Sequence, residues 1–178
     1  MKVNNCLKRI KKAIEFSMSK DETRPFLNGW IHYEKLKALV SCNGFVLTCS
    51  QSLYDDNLKN IIISPKEYQS VQREYPRVEA VIPDLSKLES GVVQIKKVFK
   101  VKGKEVVKLY LYKDDDNFHF SFEEKENAIL VIDARNIAPL TDDCSYEFKY
   151  SKKLNPIVFN LSYGETFNDY FLLLPLKV

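Results

Sequence analysis

Apolar residues recur along residues 5–19 with the period of a helix: Leu7, Ile10, Ala13 and Ile14 share one face, and Asn4 or Asn5 can cap the start. Lys8, Lys11, Lys12 and Glu15 fall on the opposite face, with Arg9 on the flank. After Pro25 the period changes to that of strands, predicted at 27–34, 36–42 and 45–50. Asn43-Gly44 between the last two is the strongest hairpin signal in the chain. Residues 61–63 read as a further strand, and Pro65 can open a short helix through Val71. The two prolines within 74–84 predict an extended linker or edge, and an internal boundary there.

Downstream, the pattern predicts strands at 92–101 and 104–112, joined by a hairpin at Lys102-Gly103. A polar turn at Asp114, Asp115, Asp116 and Asn117 then leads into 118–122, where Phe118, Phe120 and Phe122 alternate with His119 and Ser121. A strand at 128–132, a short helix at 134–140 and strands at 145–151, 156–161 and 170–178 complete the reading. If residues 1–3 are counted as a first strand, both halves repeat one order of elements. The expectation is an α+β fold with a doubled β-α-β-β-β plan, two helices and mostly antiparallel sheet.

The 178 residues, 45% hydrophobic and 29% charged, suffice for one domain with a true core or for two small lobes. The net charge of +3 permits an acidic partner without requiring one. The four cysteines show no C-x-x-C spacing and no secretory h-region precedes them, so reduced thiols in a cytoplasmic protein are expected. No apolar run has the length of a membrane span, so no membrane partner is expected.

Several stretches resemble the bacterial DNA polymerase III beta subunit, the sliding clamp, in the order in which that family carries them. Arg24-Pro25-Phe26-Leu27-Asn28-Gly29 is similar to the start of its second domain, and Val40-Ser41-Cys42-Asn43-Gly44-Phe45-Val46-Leu47 to its V-A-T-D-G-H-R-L hairpin. Ile62-Ile63-Ser64-Pro65-Lys66 resembles its I-I-P-R-K, and the segment from Tyr75 to Pro83 resembles the linker into its third domain. Residues 107–121 and 129–140 can be laid on strands and a helix of that third domain. Leu174-Pro175-Leu176-Lys177-Val178 is similar to the M-P-M-R-L end of the clamp. The likeness is good over 19–50 and 170–178, patchy between and weak over 85–105. The chain is about half a three-domain clamp, the family's His-Arg is replaced by Phe45-Val46, and its two tail methionines by Leu174 and Leu176.

The resemblance implies one clamp-like domain over 1–178, with a boundary near 74–84 separating two half-domains. It also implies a groove for a short client peptide from a DNA polymerase or another clamp-binding protein. Carried over by position, Leu27, Cys42, Gly44, Val46 and Leu47 would supply one wall, Pro83 the linker, and Leu172, Leu174, Pro175, Leu176 and Lys177 the other. Read without the family, the same residues are ordinary core leucines around a tight turn. Lys8, Arg9, Lys11 and Lys12 would meet duplex DNA phosphates, as helices lining a clamp's hole do; the plain alternative is a solvated helix face.

Enzyme chemistry has no motif here: P-loop, G-x-G-x-x-G and G-x-S-x-G are all missing, and no cofactor is expected. His32 and His119 lack ligand-like neighbours, and Asp114-Asp115-Asp116 and Asp55-Asp56 read as solvated turns. Three functions stay open: a homo-oligomeric ring that tethers a client on DNA, a monomeric peptide-binding module or decoy, and a scaffold that has lost both sites.

Overall fold

The computed structural model describes residues 2–24, 27–64, 70–71, 75–151, 155–162 and 166–176. It divides into two compact units: residues 1–82 with 161–171, and residues 83–160 with 172–178.

The first unit opens with helix α1 (Lys2–Ser17). Ile10, Ala13 and Ile14 are buried as the repeat predicts, whereas Leu7 is 36% exposed. The helix starts earlier than expected. Asn4 and Asn5 therefore lie within it rather than at its cap, and residues 2–3 are helical rather than the first strand. Val3, Leu7, Ile10 and Ile14 follow one spacing, so the helical repeat simply runs on toward the N-terminus.

Helix α1 packs on strands β2 (Ala38–Cys42) and β3 (Val46–Ser50), which follow β1 (Trp30–Tyr33). Two buried hydrogen bonds fix that packing: Ser41 Oγ donates to the Ile14 carbonyl at 2.9 Å, and Ser17 Oγ lies 2.6 Å from Thr48 Oγ1. The β2–β3 hairpin pairs Cys42 with Leu47, so its loop is longer than two residues. Asn43 organises it by accepting from the amides of Phe45 (3.0 Å) and Val46 (3.1 Å), while Gly44 takes a φ of 94°.

Strand β4 (Ile62–Ile63) pairs antiparallel with β1, and β5 (Ser70–Val71) pairs with β4. Gly29 explains the close approach at this edge, because a Cβ there would lie 2.2 Å from the Ile63 carbonyl oxygen. The helix expected over 65–71 falls mostly outside the described residues, and its last two positions are strand. Residues 75–82 are not a free linker: Tyr75 and Val78 are buried, and a 3-10 turn spans Val78–Ala80. Pairing of these apolar side chains with the unit outweighs the extended bias of the prolines.

Strand β12 (Asp169–Leu173) follows β3 in the sheet order β5-β4-β1-β2-β3-β12. Asp169 is buried and accepts from Ser50 Oγ (2.6 Å), Ser52 Oγ (2.6 Å) and the Ser52 amide (3.1 Å). Phe171 meets Phe16 of α1 at 6.4 Å between ring centroids.

The second unit holds β6 (Glu89–Ile95), β7 (Lys108–Asp114), β8 (Asn117–Ser121), β9 (Ala128–Asp133), β10 (Cys144–Tyr150) and β11 (Ile157–Asn160). Their order is β11-β10-β6-β8-β7-β9, antiparallel except where β6 meets β8 in parallel at Val93–Phe118. The hairpin expected at Lys102-Gly103 does not form. Strand β6 ends at Ile95, a 3-10 turn covers Lys97–Phe99, and β7 pairs instead with β8 and β9.

The second predicted helix is also corrected: Ala134–Leu140 is 3-10, so the described residues hold one α-helix rather than two. Pro139 inside it lacks an amide proton and blocks α-helical continuation. Asp133 caps this segment by accepting from the Arg135 amide at 3.0 Å. The observed class is α+β with mostly antiparallel pairing.

Two stability predictions follow from the first unit. Asp169→Ala strips three donors of their acceptor and should cost about 3 kcal/mol, read as a lower urea midpoint in the fluorescence of Trp30. The second concerns Glu79, whose carboxylate accepts from the Tyr33 hydroxyl and from Lys35 Nζ at 3.1 Å. The Tyr33 bond, then a backbone bond and Lys35, lower its pKa from 4.5 to about 2. The unfolded chain takes up this proton first as pH falls. The contribution is therefore complete above pH 4.5 and lost on the way down to about 2. Tyr33→Phe should flatten stability against pH in that window; an unchanged slope would exclude the pair as its source.

Candidate peptide-binding site

In the first unit, Leu27, Val46 and Leu47 are buried and serve as core. Cys42 is half-buried; burial pushes its thiol pKa up, partly offset by the Gly44 amide donating to its sulfur at 3.4 Å. Gly44 is exposed, and Phe45 beside it is 65% exposed at the hairpin tip. Phe45 and Arg24 border a concavity of about 530 Å³ at the C-terminal end of α1, whose remaining wall includes Glu15, Phe16, Lys20 and Asp21.

In the second unit, Leu172 is buried, Pro83, Pro175 and Leu176 are half-buried, and Leu174 is 39% exposed. Lys177 lies outside the described residues. Beyond β12 the chain continues beside β9, where the Leu176 amide donates to the Val131 carbonyl at 2.8 Å. That bond brings Pro175 and Leu176 together with Tyr110, Ile129, Leu130 and Val131 around a cavity of about 360 Å³. Glu124, Lys125 and Glu126 complete its wall. Lys125 is held there by Glu123 at 3.4 Å and by the Tyr112 ring, 5.4 Å from its centroid. An apolar floor with a few charged groups at the edge is the usual make-up of a small binding site.

Of the residues expected in a groove, Pro175 and Leu176 border this cavity, whereas Leu27, Cys42, Gly44, Val46, Leu47, Pro83, Leu172 and Leu174 do not, and its β9 side was not among those expected. Residues 128–132 were legible as a strand, but which strand the tail would lie beside was not. The uninterrupted apolar run Ile129-Leu130-Val131-Ile132 was the available signal.

On α1, Lys8, Lys11 and Lys12 are exposed, as is Glu15 beside them. Arg9 is 8% exposed and stands apart from this basic face, because its flank position turns it toward the packed side of the helix. His32 is structural: its Nδ1 accepts from the Asp55 amide at 2.9 Å, and burial lowers its pKa. Asp114 to Asn117 form a plain strand-joining turn, with Asp115 at a φ of 49° and Asp116 3.5 Å from Lys113. Among the described residues no group of side chains could hold a metal ion, and no helix is long and apolar enough to cross a membrane. The four cysteines are free thiols.

Compared with solved structures, the chain superposes over its whole length on DNA polymerase III subunit beta from Borrelia burgdorferi, with a TM-score of 0.69 and 16% identity. The fold is that of the bacterial sliding clamp. The clamp from Bartonella birtlesii, solved bound to griselimycin, matches 97% of the chain at a TM-score of 0.68 and 15% identity. The C. crescentus clamp matches 98% at 0.67 and 14%. The chain spans just under two thirds of these clamps, 62% to 64% of their length. No protein-family model matches the sequence, and no curated protein does. At such identities the likeness carries the fold, and individual clamp residues have to be argued from this chain's own geometry.

Proposed function

We propose that this chain is a clamp-fold binding module that holds a short apolar peptide segment of a replication protein and does not by itself encircle DNA. The cavity beside β9 carries this reading: Leu130, Val131, Pro175 and Leu176 offer an apolar floor of peptide size, and the charged wall sets the register of the entering segment. In this reading the module is cytoplasmic, catalyses no reaction and competes with full-length clamps for their clients. Griselimycin, bound by the Bartonella birtlesii clamp, is a natural competitor to include.

A fluorescently labelled clamp-binding peptide should gain anisotropy on titration with the chain. Leu130→Glu or Leu176→Glu should weaken it at least tenfold, since each places a charge where an apolar side chain must seat. Saturable binding with equal affinity for both variants would remove the cavity from the account.

A second reading, a homo-oligomeric ring that tethers its client on duplex DNA, is favoured by the exposed Lys8, Lys11 and Lys12. It predicts a ring-sized particle by light scattering and a duplex affinity that falls with salt and is lost in Lys8/Lys11/Lys12→Glu. A strict monomer at high concentration, without duplex binding, would leave the first reading alone.

A further inference from the structure

Residues 96–108 read Lys-Lys-Val-Phe-Lys-Val-Lys-Gly-Lys-Glu-Val-Val-Lys, six lysines against one glutamate. All six lysines are exposed. Lys97 is neutralised by Asp143 at 3.0 Å, whereas Lys96, Lys100, Lys102, Lys104 and Lys108 have no ion pair among the described residues. The segment is tied down at two points. Arg135, held on Asp133 through its Nε at 2.9 Å, donates from its guanidinium to the Lys104 carbonyl. Phe99 is buried edge-on against Phe120 and Phe122, with centroids at 6.1 and 5.5 Å. A run of exposed lysines with a single acidic residue among them attracts a polyanion.

The same segment forms one wall of a cavity of about 360 Å³. Lys96, Phe99 and the exposed His119 line it, and Gln94 and Asn117 bring side-chain amides, while the Phe118 ring turns to the other face of β8, edge-on to Phe148 at 5.0 Å. An exposed imidazole ring with amide donors and acceptors, beside exposed lysines, suits an unstacked base and its phosphates. A duplex keeps its bases stacked inside, and a lipid surface has no use for a concave polar cavity.

We propose that residues 96–108 and the adjoining cavity bind single-stranded nucleic acid. Lys96, Lys100, Lys102 and Lys104 contact phosphates, and one base enters against the exposed His119 ring. This surface lies in the second unit and shares no residue with α1 or with the peptide cavity.

The test is fluorescence anisotropy of the full chain with a labelled oligothymidylate of about 20 nucleotides, longer than a typical single-strand site. A duplex of equal length and phosphatidylserine vesicles serve as the other arms. Binding should favour the single strand. The triple variant Lys100→Glu/Lys102→Glu/Lys104→Glu, all on exposed loop positions, should weaken it at least tenfold. It should also lower the slope of log affinity against log salt by about 2, at roughly 0.7 per phosphate contact. His119→Ala should weaken binding several-fold with the slope unchanged, and Lys8/Lys11/Lys12→Glu should leave it intact. Unaltered affinity in the loop triple with its thermal unfolding intact, or a preference for duplex or vesicles, would overturn the proposal. An unaltered affinity in His119→Ala would remove the base from it.

Discussion

One buried carboxylate decides how the C-terminal part of the chain is used. Asp169 begins β12 and takes three hydrogen bonds from Ser50 and Ser52, residues well over a hundred positions earlier. A carboxylate in so dry a place is tolerated only when its lone pairs are filled, and here the loop after β3 fills them. The return of β12 to β3 is thereby specified chemically as well as by apolar burial. Tyr170 and Phe171, buried in the same unit, inherit their starting point from that anchor.

From there the remaining positioning is done by backbone. The Leu176 amide on the Val131 carbonyl is a single sheet-like bond, yet it sets two apolar tail residues against the floor made by Ile129, Leu130 and Val131. Few side chains have to be specified for such a site, since the main chain supplies the alignment and each side chain needs only to be apolar. This accounts for how a likeness of 14% to 16% identity can accompany one common fold. In the proposed reading, Leu176 gives the cavity an apolar side chain with less freedom to repack around different occupants than a methionine would have.

The elements with strong local signals were legible. The period of α1, the Asn43-Gly44 turn, the Asp114–Asn117 turn and the alternation at Phe118, Phe120 and Phe122 each rest on neighbours in sequence. What escaped depended on distant partners or on charge. Residues 92–112 look like two strands and a turn, yet β6 finds β10 and β8, and the lysine-rich stretch between stays irregular. Ala134–Leu140 has a helical pattern, and Pro139 turns it to 3-10. Residues 75–82 carry linker composition, but Tyr75 and Val78 bury themselves and Glu79 is captured by Tyr33. Of the site, Pro175 and Leu176 came from the family resemblance, while the β9 floor required knowledge of which strand lies beside the tail. Arg9 shows the limit of a helical wheel: a residue at the flank falls to either side, and here it is buried.

The tail bond on β9 also bears on solubility. Strand β9 ends the order of its unit, and its outer edge, Ala128–Asp133, is rich in β-branched and aliphatic residues with Lys125 and Glu126 close by. A bare edge of this composition is a template onto which another chain can add a strand. By laying residues 174–176 there, the molecule occupies that edge with a segment whose Pro175 has no amide proton to offer a further strand. Residues 174–176 thus cover an edge that would otherwise stand open to pairing, and whatever displaces them must cover the same edge while they are away.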